Sequence, residues 1–424
     1  MKILIISHTP ISTFNNMGKT IGSLFSSFTK NELCQLYIHP SVPDIPACNS
    51  YYRITDRDIL MSYIKFYVCG GVVFPNIEQH NCSDDSKSGR LYRRLKHIGT
   101  TKRLVRDILW YFAHWYNKKL KEWIEKENPT HIFVAPGMQR LLYDIAFCIA
   151  KDRNIPIITY ICDDYFFLQK KRNPIIRYAN WHLRCKIEKL MRLSNHVVFI
   201  CNPLKEAYQA RFDILATTIM TGTSNLITNE VICCSSVKSF VYLGNLYYNR
   251  EKSLADIGIV LDELNKEYGM ACRLDIYSGD ISDTIKNSFN GIKSINLHGF
   301  VIGTEYENVK SQADVLIHVE AFDEDSYDMV KFSISTKIAD ILSSGKVLLA
   351  YGPPNVASIR HLTDNGYICS VFDKKELKKK INLILIDKQF RVDCIKQSLS
   401  LASKYHNKDL NSESLRKIFY NIYN

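Results

Sequence analysis

The stretch "ADVLIHVEAFDEDSYDMVKFSISTKIADILSSGKVLLAYGP", residues 313–353, decides the fold of this chain. An apolar strand, DVLIHV, leads into an acidic loop, and a second apolar strand, VLLAYG, ends the stretch. Between them the pattern predicts a helix that begins near Ser335, Thr336 and Lys337 and ends before Gly345, because glycine commonly stops helices. Strand, helix and strand in this order predict a parallel sheet covered by helices.

The start of this helix has the composition of an anion site. The hydroxyls of Ser335 and Thr336 stand beside free backbone N–H groups, and Lys337 lies in the first turn. Asp340 follows three residues later, on nearly the same face, where a carboxylate could accept ribose hydroxyls next to a bound phosphate. The alternative is an ordinary N-cap at Ser335 with an i,i+3 ion pair.

A second stretch, "FVYLGNLYYNREKSL" at 240–254, has a related pattern. A strand runs into Gly244, and a polar loop with Arg250 and Lys252 opens a helix. Glycine permits close approach of the backbone, and two cations can hold a diphosphate. The signal is weak alone, since many strand-to-helix loops carry arginine and lysine.

Strand-like and helix-like segments alternate along the whole chain. The first half predicts strands at KILIIS, CQLYIH, HIFVA, IPIITYIC and HVVFIC, and the alternation restarts after a polar linker at 225–239. We therefore expect an α/β protein with two doubly wound domains, at 1–230 and 238–400. Two such domains place a ligand cleft between the carboxyl ends of their sheets.

Composition excludes several classes of protein. The 424 residues are 46% hydrophobic and 23% charged, which is ordinary for a soluble globular protein of two domains. No apolar run approaches the ~20 residues of a membrane span, and the first strand is too short for a signal peptide. The 13 cysteines form no C-x-x-C pair. We expect reduced thiols, a cytoplasmic location and no metal site.

The net charge of +12 is partly local. The segment 90–106 contains seven basic residues and no acid, and the aromatic stretch DILWYFAHWYNKKLKEW follows it. Basic residues beside aromatics suit an anionic membrane surface. Alternatively, the aromatics pack into the first domain and the arginines face solvent. No nucleic-acid-reading module is visible, so no nucleic-acid partner is predicted. The basic residues are Arg90, Arg93, Arg94, Lys96, Lys102, Arg103 and Arg106.

The segment "TFNNMGKT" at 13–20 ends in Gly18-Lys19-Thr20 and raises the question of an ATP-binding P-loop. That loop needs a glycine five positions before Gly18, where this chain has Thr13. We therefore interpret the segment as a strand-to-helix loop in which Gly18 permits a tight approach.

Together, the stretches at 240–254 and 313–353 resemble the donor-binding half of GT-B glycosyltransferases, in the family-4-like group with the retaining capsule, O-antigen and lipopolysaccharide transferases. The resemblance covers residues 240–375 best and the first domain only in its order of elements. The matching elements are Gly244 with Arg250 and Lys252, LHGFV at 297–301, ADVLIHV at 313–319, and STKIADILSSGKVLLA at 335–350, with Asp340 five positions before Gly345.

The resemblance implies a fold and a set of donor-binding residues. The fold would be two Rossmann-like domains with an interdomain cleft, and the segment 401–424 would cross back to the first domain. A nucleotide sugar would be a substrate, with no cofactor and no metal. Its diphosphate would face Gly244, Asn245, Arg250, Lys252, Ser335, Thr336 and Lys337, its base Gly299 and Phe300, and its ribose Asp340. Gly18 would approach the donor from the first domain.

The chain also departs from the family pattern. The acid that usually stands eight positions before the helix acid is replaced by Phe332, and Glu320, Asp323, Glu324 or Asp325 is available instead for the donor sugar. The usual arginine after the loop glycine is Asn245, which moves the cation role to Arg250. In the first domain, Cys162 stands in the place of a histidine before Asp163 and Asp164. These aspartates are either catalytic or serve as a strand-end or helix cap.

The expected activity is transfer of a sugar from a UDP or GDP sugar to a glycan or lipid-linked acceptor in surface polysaccharide biosynthesis. The location would be cytoplasmic or peripheral at the inner face of the cell membrane. Two alternatives stay open. One is a nucleotide-sugar epimerase of the same shape, which would change its sugar without an acceptor. The other is a non-catalytic glycan- or membrane-binding relative, which the replacements at Cys162 and Phe332 suggest.

Overall fold

The computed structural model describes residues 1–13, 16–63, 67–76, 100–167, 173–223, 226, 236–279 and 281–423. The chain forms two compact units. The first contains Met1–Ile200, Leu204–Ile219 and Asp409–Asn424, and the second contains Cys201–Pro203 and Met220–Lys408.

The described part of the first unit has one eight-stranded sheet in the order β4-β3-β2-β1-β5-β6-β7-β8. All neighbouring strands are parallel except β3 and β4. Several strands are buried along their whole length, as apolar runs covered on both faces require. The strands are β1 Ile3–Ser7, β2 Leu33–Tyr37, β3 Ser50–Arg53, β4 Gly71–Val73, β5 His131–Ala135, β6 Ile157–Ile161, β7 Ser194–Phe199 and β8 Ala216–Thr218.

Helices connect these strands and cover the sheet. They are α1 Asn16–Leu24, the short 3-10 helix Lys30–Glu32, α2 Asp56–Ser62, α3 Thr100–Phe112, α4 Lys118–Glu127, α5 Arg140–Arg153, α6 Pro174–Leu193 and α7 Asn202–Gln209. Five of the strands were predicted from the sequence. The short strands β3, β4 and β8 were missed, because three or four residues carry little periodic signal.

The second unit has a six-stranded parallel sheet in its described residues, with the order β11-β10-β9-β12-β13-β14. The order reverses direction between β9 and β12, so this sheet has a topological switch point at the carboxyl end of β9. The strands are β9 Ser239–Leu243, β10 Arg273–Tyr277, β11 Ile295–His298, β12 Val315–Val319, β13 Val347–Tyr351 and β14 Ser370–Val371. The helices are α8 Arg250–Tyr268, α9 Asp283–Ser288, α10 Gly303–Gln312, α11 Glu324–Val330, α12 Lys337–Leu342, α13 Ala357–Thr363, α14 Lys374–Ile386 and α15 Lys388–Tyr405. Two parallel-sheet units confirm the predicted α/β fold class.

The last helix, α16 (Lys408–Tyr423), packs on the first unit. Its Phe419 ring centroid lies 5.9 Å from that of Phe28 and 5.4 Å from that of His131. Arg416 donates to Glu32, with 2.7 Å between Nη1 and Oε1.

The unit boundaries differ from the expected domain limits of 230, 238 and 401. The first unit gives way to the second at Met220 rather than at 230, and the chain returns at Asp409 rather than at 401, because α15 continues to Tyr405. Most of the predicted linker at 225–239 lies outside the described residues.

Candidate functional site

The loop after β9 lies at the switch point of the second sheet. Gly244 donates its N–H to the carbonyl of Tyr277, at 3.1 Å. A Cβ on Gly244 would lie 2.6 Å from the hydroxyl of Tyr242, which donates to the carbonyl of Asn245. Glycine is therefore needed at this position to make room for the Tyr242 ring.

The same loop has an unusual backbone. Tyr248 and Asn249 both have positive φ values, 60° and 55°, in the left-handed region that residues other than glycine rarely adopt. The Asn249 amide donates to the Asp323 carboxylate at 3.1 Å and to the Ser326 hydroxyl at 3.1 Å. Backbone strain of this kind persists where the surroundings hold it, and it is common at functional sites.

Arg250, the first residue of α8, is held by two partners. Its Nε and Nη2 donate to the two carboxylate oxygens of Glu320, at 3.0 and 3.1 Å, and its Nη1 donates to Asn245 Oδ1 at 2.6 Å. The side chain of Glu320 is 2% exposed and that of Arg250 is 14% exposed. Burial raises the pKa of Glu320, and the charge of Arg250 opposes that rise. Glu320, a sequence candidate for the donor sugar, is here occupied with Arg250.

Lys337 brings a second cation to the end of β9. Its Nζ donates to the carbonyl of Leu243 at 2.8 Å. Burial, and then the nearby charge of Arg250, lower the pKa of Lys337 to about 8, while Asp340 opposes the change. The structure therefore brings Arg250 and Lys337, 87 positions apart in the printed sequence, to one end of the sheet.

The hydroxyl residues of the predicted anion site make fewer or longer side-chain hydrogen bonds than Arg250 and Lys337. Helix α12 spans six residues, and its N-cap Thr336 makes no side-chain capping bond. Ser335 Oγ accepts a long bond from the N–H of Lys337, at 3.4 Å. Asp340 is half-buried beside Tyr306, whose pKa is raised by burial and then by the Asp340 charge. Lys252 is exposed on α8.

An exposed apolar surface lies after β10 and β11. Phe300 is 68% exposed, and its Cβ lies 3.6 Å from the position that a Cβ on Gly279 would occupy. Nothing lies within 4 Å of the position that a Cβ on Gly299 would occupy. At the ends of β10 and β11, the Tyr277 and His298 rings stack with 4.4 Å between centroids. An open backbone next to an exposed aromatic ring can accept a flat base.

Asp163 and Asp164 both accept hydrogen bonds from residues that follow them closely in the chain. Asp164 accepts from the N–H groups of Phe166 and Phe167, at 2.9 and 3.0 Å, which is the cap that the sequence left open as an alternative. Asp163 accepts from the Tyr165 hydroxyl at 3.2 Å. Burial raises the pKa of the Cys162 thiol, so the thiol stays protonated at neutral pH.

Gly18 is buried in α1. A Cβ there would lie 2.6 Å from the carbonyl oxygen of Pro10 and 2.8 Å from the backbone nitrogen of Ser12. Its lack of a side chain therefore lets α1 pack against the preceding loop.

Sequence reasoning missed His8, at the carboxyl end of β1. Its ring centroid lies 5.3 Å from that of His39, which follows the neighbouring strand β2. Burial first, and then the nearby His39 and Arg106, lower the pKa of His8 to about 4, so the imidazole is neutral at pH 7. A histidine directly after an apolar strand was the available signal, but the neighbouring strand could not be identified from sequence.

The aromatic stretch after the basic segment divides into two groups. Trp110 and Trp123 are buried, as the core alternative requires. Others are exposed on α3, among them Tyr111 at 79%, and α6 adds Trp181 at 58%. Arg90, Arg93, Arg94 and Lys96 lie outside the described residues. In the described part of the chain, no helix combines the length and apolar character that crossing a membrane requires.

Comparison with known proteins identifies the fold. No protein-family model matches the sequence, and no curated protein matches it. A UDP-forming α,α-trehalose-phosphate synthase from Burkholderia xenovorans, in complex with glucose-6-phosphate, matches with a TM-score of 0.59 and 9% identity, over 100% of both chains. HepE from Anabaena, in complex with UDP-glucose, matches with a TM-score of 0.60 and 9% identity, over 99% of this chain and 100% of the other.

A third solved structure is WaaG, a glycosyltransferase involved in lipopolysaccharide biosynthesis. It matches with a TM-score of 0.55 and 8% identity, over 97% of this chain and 98% of the other. These proteins are glycosyltransferases of the GT-B fold, and the present chain has that fold. The resemblance seen in residues 240–375 is confirmed at this level.

Proposed function

We propose that this protein is a glycosyltransferase whose second unit binds a UDP or GDP sugar. The observation that carries the proposal is the meeting of Arg250 and Lys337 at the carboxyl end of β9. Two cations at the switch point of a doubly wound sheet suit a diphosphate. The solved structure of HepE, which shares the fold, contains UDP-glucose.

In the proposed donor complex, Gly244, Asn245 and the cations face the diphosphate, with Ser335 and Thr336 at the start of α12. The open backbone at Gly299 and the exposed Phe300 take the base, and Asp340 accepts the ribose hydroxyls. The bond from the anomeric carbon to the diphosphate breaks, and its electron pair leaves with the diphosphate. Arg250 and Lys337 stabilise that charge in place of a metal ion.

The acceptor supplies the oxygen that bonds to the anomeric carbon, and its proton passes to the departing diphosphate or to solvent. We propose a retained anomeric configuration, as in the family that the chain resembles. Asp163 and Asp164 are the first-unit candidates for a role near the acceptor, and Asp164 also caps the backbone N–H groups of Phe166 and Phe167.

We further propose that the acceptor is a lipid-linked glycan at the inner face of the cell membrane, within surface polysaccharide biosynthesis. The supporting feature is the exposed apolar surface of α3 and α6. On α3 it contains Val105, Ile108, Tyr111 and Phe112, and on α6 it contains Ile175, Tyr178 and Trp181. Exposed aromatics beside a basic segment match the headgroup region of an anionic membrane.

A thermal-shift series tests the donor site, since a ligand that binds the folded state raises the unfolding temperature by mass action. We expect UDP or GDP to raise it and the matching nucleoside to raise it less. No shift with either diphosphate would contradict the proposal. Incubation of the nucleotide sugar with and without lipid-linked acceptors then separates a transferase from an epimerase, because an epimerase changes the sugar without acceptor.

A further inference from the structure

Glu320 follows β12 directly and is buried against Arg250, the first residue of α8. Besides the two bonds from Arg250, its carboxylate accepts from the Ser358 hydroxyl at 3.3 Å, and His318 Nε2 lies 3.5 Å away. The Glu320 carbonyl also accepts from the Ser253 hydroxyl at 2.8 Å. The acid is therefore fixed at both its backbone and its side chain.

We propose that Glu320 is a positioning residue, which fixes the orientation of the Arg250 guanidinium and balances its charge beside Lys337. The inference rests on the proposed donor site and assigns Glu320 no contact with the sugar.

The geometry supports the positioning half of the proposal. A guanidinium has five N–H groups in a rigid plane, and a bidentate carboxylate fixes that plane. Two groups bond to Glu320 and one to Asn245, which leaves one N–H on each terminal nitrogen for a ligand. A free arginine would lose rotamer freedom on binding a diphosphate, whereas the arginine held by Glu320 has lost it already.

The arrangement of charges supports the proposal that Glu320 balances the charge of Arg250 beside Lys337. In the part of the chain that the structure describes, Arg250 on α8 and Asp340 on its own helix are the charged groups that act on Lys337. Glu320 neutralises Arg250 and so limits the repulsion between Arg250 and Lys337. Removing the Glu320 charge would disfavour the Lys337 ammonium, which would then lose its proton at a lower pH. A purely structural role of Glu320 would not move that pH.

Two variants separate geometry from charge. Glu320→Asp keeps the charge but withdraws the carboxylate by one methylene, so the bidentate contact weakens. Glu320→Gln keeps the size but removes the charge. Binding of UDP and GDP is measured by calorimetry between about pH 7 and about pH 9, a range that spans the pKa of Lys337. Asp256→Asn is the matched control, because Asp256 also lies on α8 but pairs with Lys374 and Tyr351.

We expect Glu320→Asp to weaken binding of the diphosphate at least about fivefold, with an unchanged pH dependence. We expect Glu320→Gln to move the pH at which affinity falls to a lower value, and Asp256→Asn to match wild type. If Glu320→Asp binds as tightly as wild type, or if Glu320→Gln has the same pH dependence as wild type, the inference about Glu320 is wrong. The proposed donor site would not be affected by either result. If wild type binds neither diphosphate, the proposed function fails and the inference fails with it.

Circular dichroism checks that each variant is folded. If Glu320→Asp is not, Ser358→Ala takes its place, since it removes one donor to Glu320 and leaves both charges. We expect it to weaken binding of UDP or GDP in the same direction by a smaller factor, and unchanged affinity would overturn the positioning role.

Discussion

The Nε2 atoms of His361 and His406 lie 3.1 Å apart inside the second unit, and the two imidazoles share one hydrogen bond. His406 Nδ1 donates to the carbonyl of Thr221 at 2.8 Å, so its Nε2 is the acceptor and His361 is the donor. His406 must therefore be neutral, because a protonated ring has no lone pair on Nε2 to accept the bond. Burial is the largest cause that lowers the pKa of His361 to about 3 and that of His406 to about 4.

The pair predicts a loss of stability in mild acid. The unfolded chain binds these protons near pH 6.5 and the folded chain only below about pH 4, so the free energy of unfolding falls as pH drops between those values. Each such group contributes a slope of up to about 1.4 kcal/mol per pH unit. Urea unfolding of His361→Gln, which can still donate to His406, should show a shallower slope. The exposed His114→Gln should follow wild type, and an equal slope in all three would contradict the prediction.

Lys337 predicts a pH dependence of donor binding. Its ammonium is present below the lowered pKa of about 8 and is lost above it, so affinity for UDP or GDP should fall as pH rises through that value. Lys337→Met should bind at least about tenfold more weakly at pH 7 and lose this dependence. Lys378→Met, on α14 and paired with Glu263 and Glu267, is the control. A pH-independent wild type would argue against a diphosphate at Lys337.

The Arg250–Glu320 pair predicts non-additive stability. Arg250→Met leaves a buried carboxylate without its partner and should cost about 3–5 kcal/mol, whereas Arg250→Met with Glu320→Leu should recover most of that loss. Urea unfolding of the single and double variants measures the coupling. Removing the surface pair of Lys374 and Asp256 should couple by no more than about 1 kcal/mol. If the changes in the free energy of unfolding of the two single variants add up to that of the double variant, Arg250 and Glu320 do not interact in solution.

Asp340 predicts recognition of the ribose. Asp340→Asn should weaken binding of UDP or GDP at least about tenfold, because a carboxylate accepts hydroxyl bonds more strongly than an amide. The 2′,3′-dideoxy nucleotide should bind wild type weakly and should not distinguish wild type from the variant. Asp364→Asn, which breaks a pair with Arg360, serves as the control. If wild type and Asp340→Asn prefer UDP or GDP over the dideoxy nucleotide by the same factor, a residue other than Asp340 contacts the ribose.

The exposed surface of α3 and α6 predicts binding to anionic vesicles. Combined replacement of Tyr111, Phe112 and Trp181 by serine should reduce co-sedimentation with phosphatidylglycerol vesicles and leave nucleotide binding intact. Replacement of Arg90, Arg93 and Arg94 should have the same effect, more strongly at low salt. Tyr268→Ser, an exposed tyrosine of the second unit, is the matched control. If the replacements leave the vesicle-bound fraction of the protein unchanged, this surface does not bind membranes.

The resemblance to GT-B glycosyltransferases implied that Arg250 and Lys337 face one diphosphate, and the structure brings both to the end of β9. Each stands at a strand-to-helix connection, and doubly wound sheets bring such connections to one edge. The partner of Arg250 could not be predicted from the sequence. Glu320 begins an acidic loop with four carboxylates, and nothing in the sequence distinguishes the one that pairs with Arg250. The proximity of His8 to His39 depended on β1 and β2 being neighbours, which single-sequence periodicity does not show.

The return of α16 to the first unit has a consequence for folding during synthesis. Phe419 packs against His131 and Phe28, which belong to the first third of the chain. A ribosome releases all of residues 220–408 before it releases Phe419. The first unit therefore cannot complete its core until α16 has been synthesised, and the second unit is the first that can fold completely.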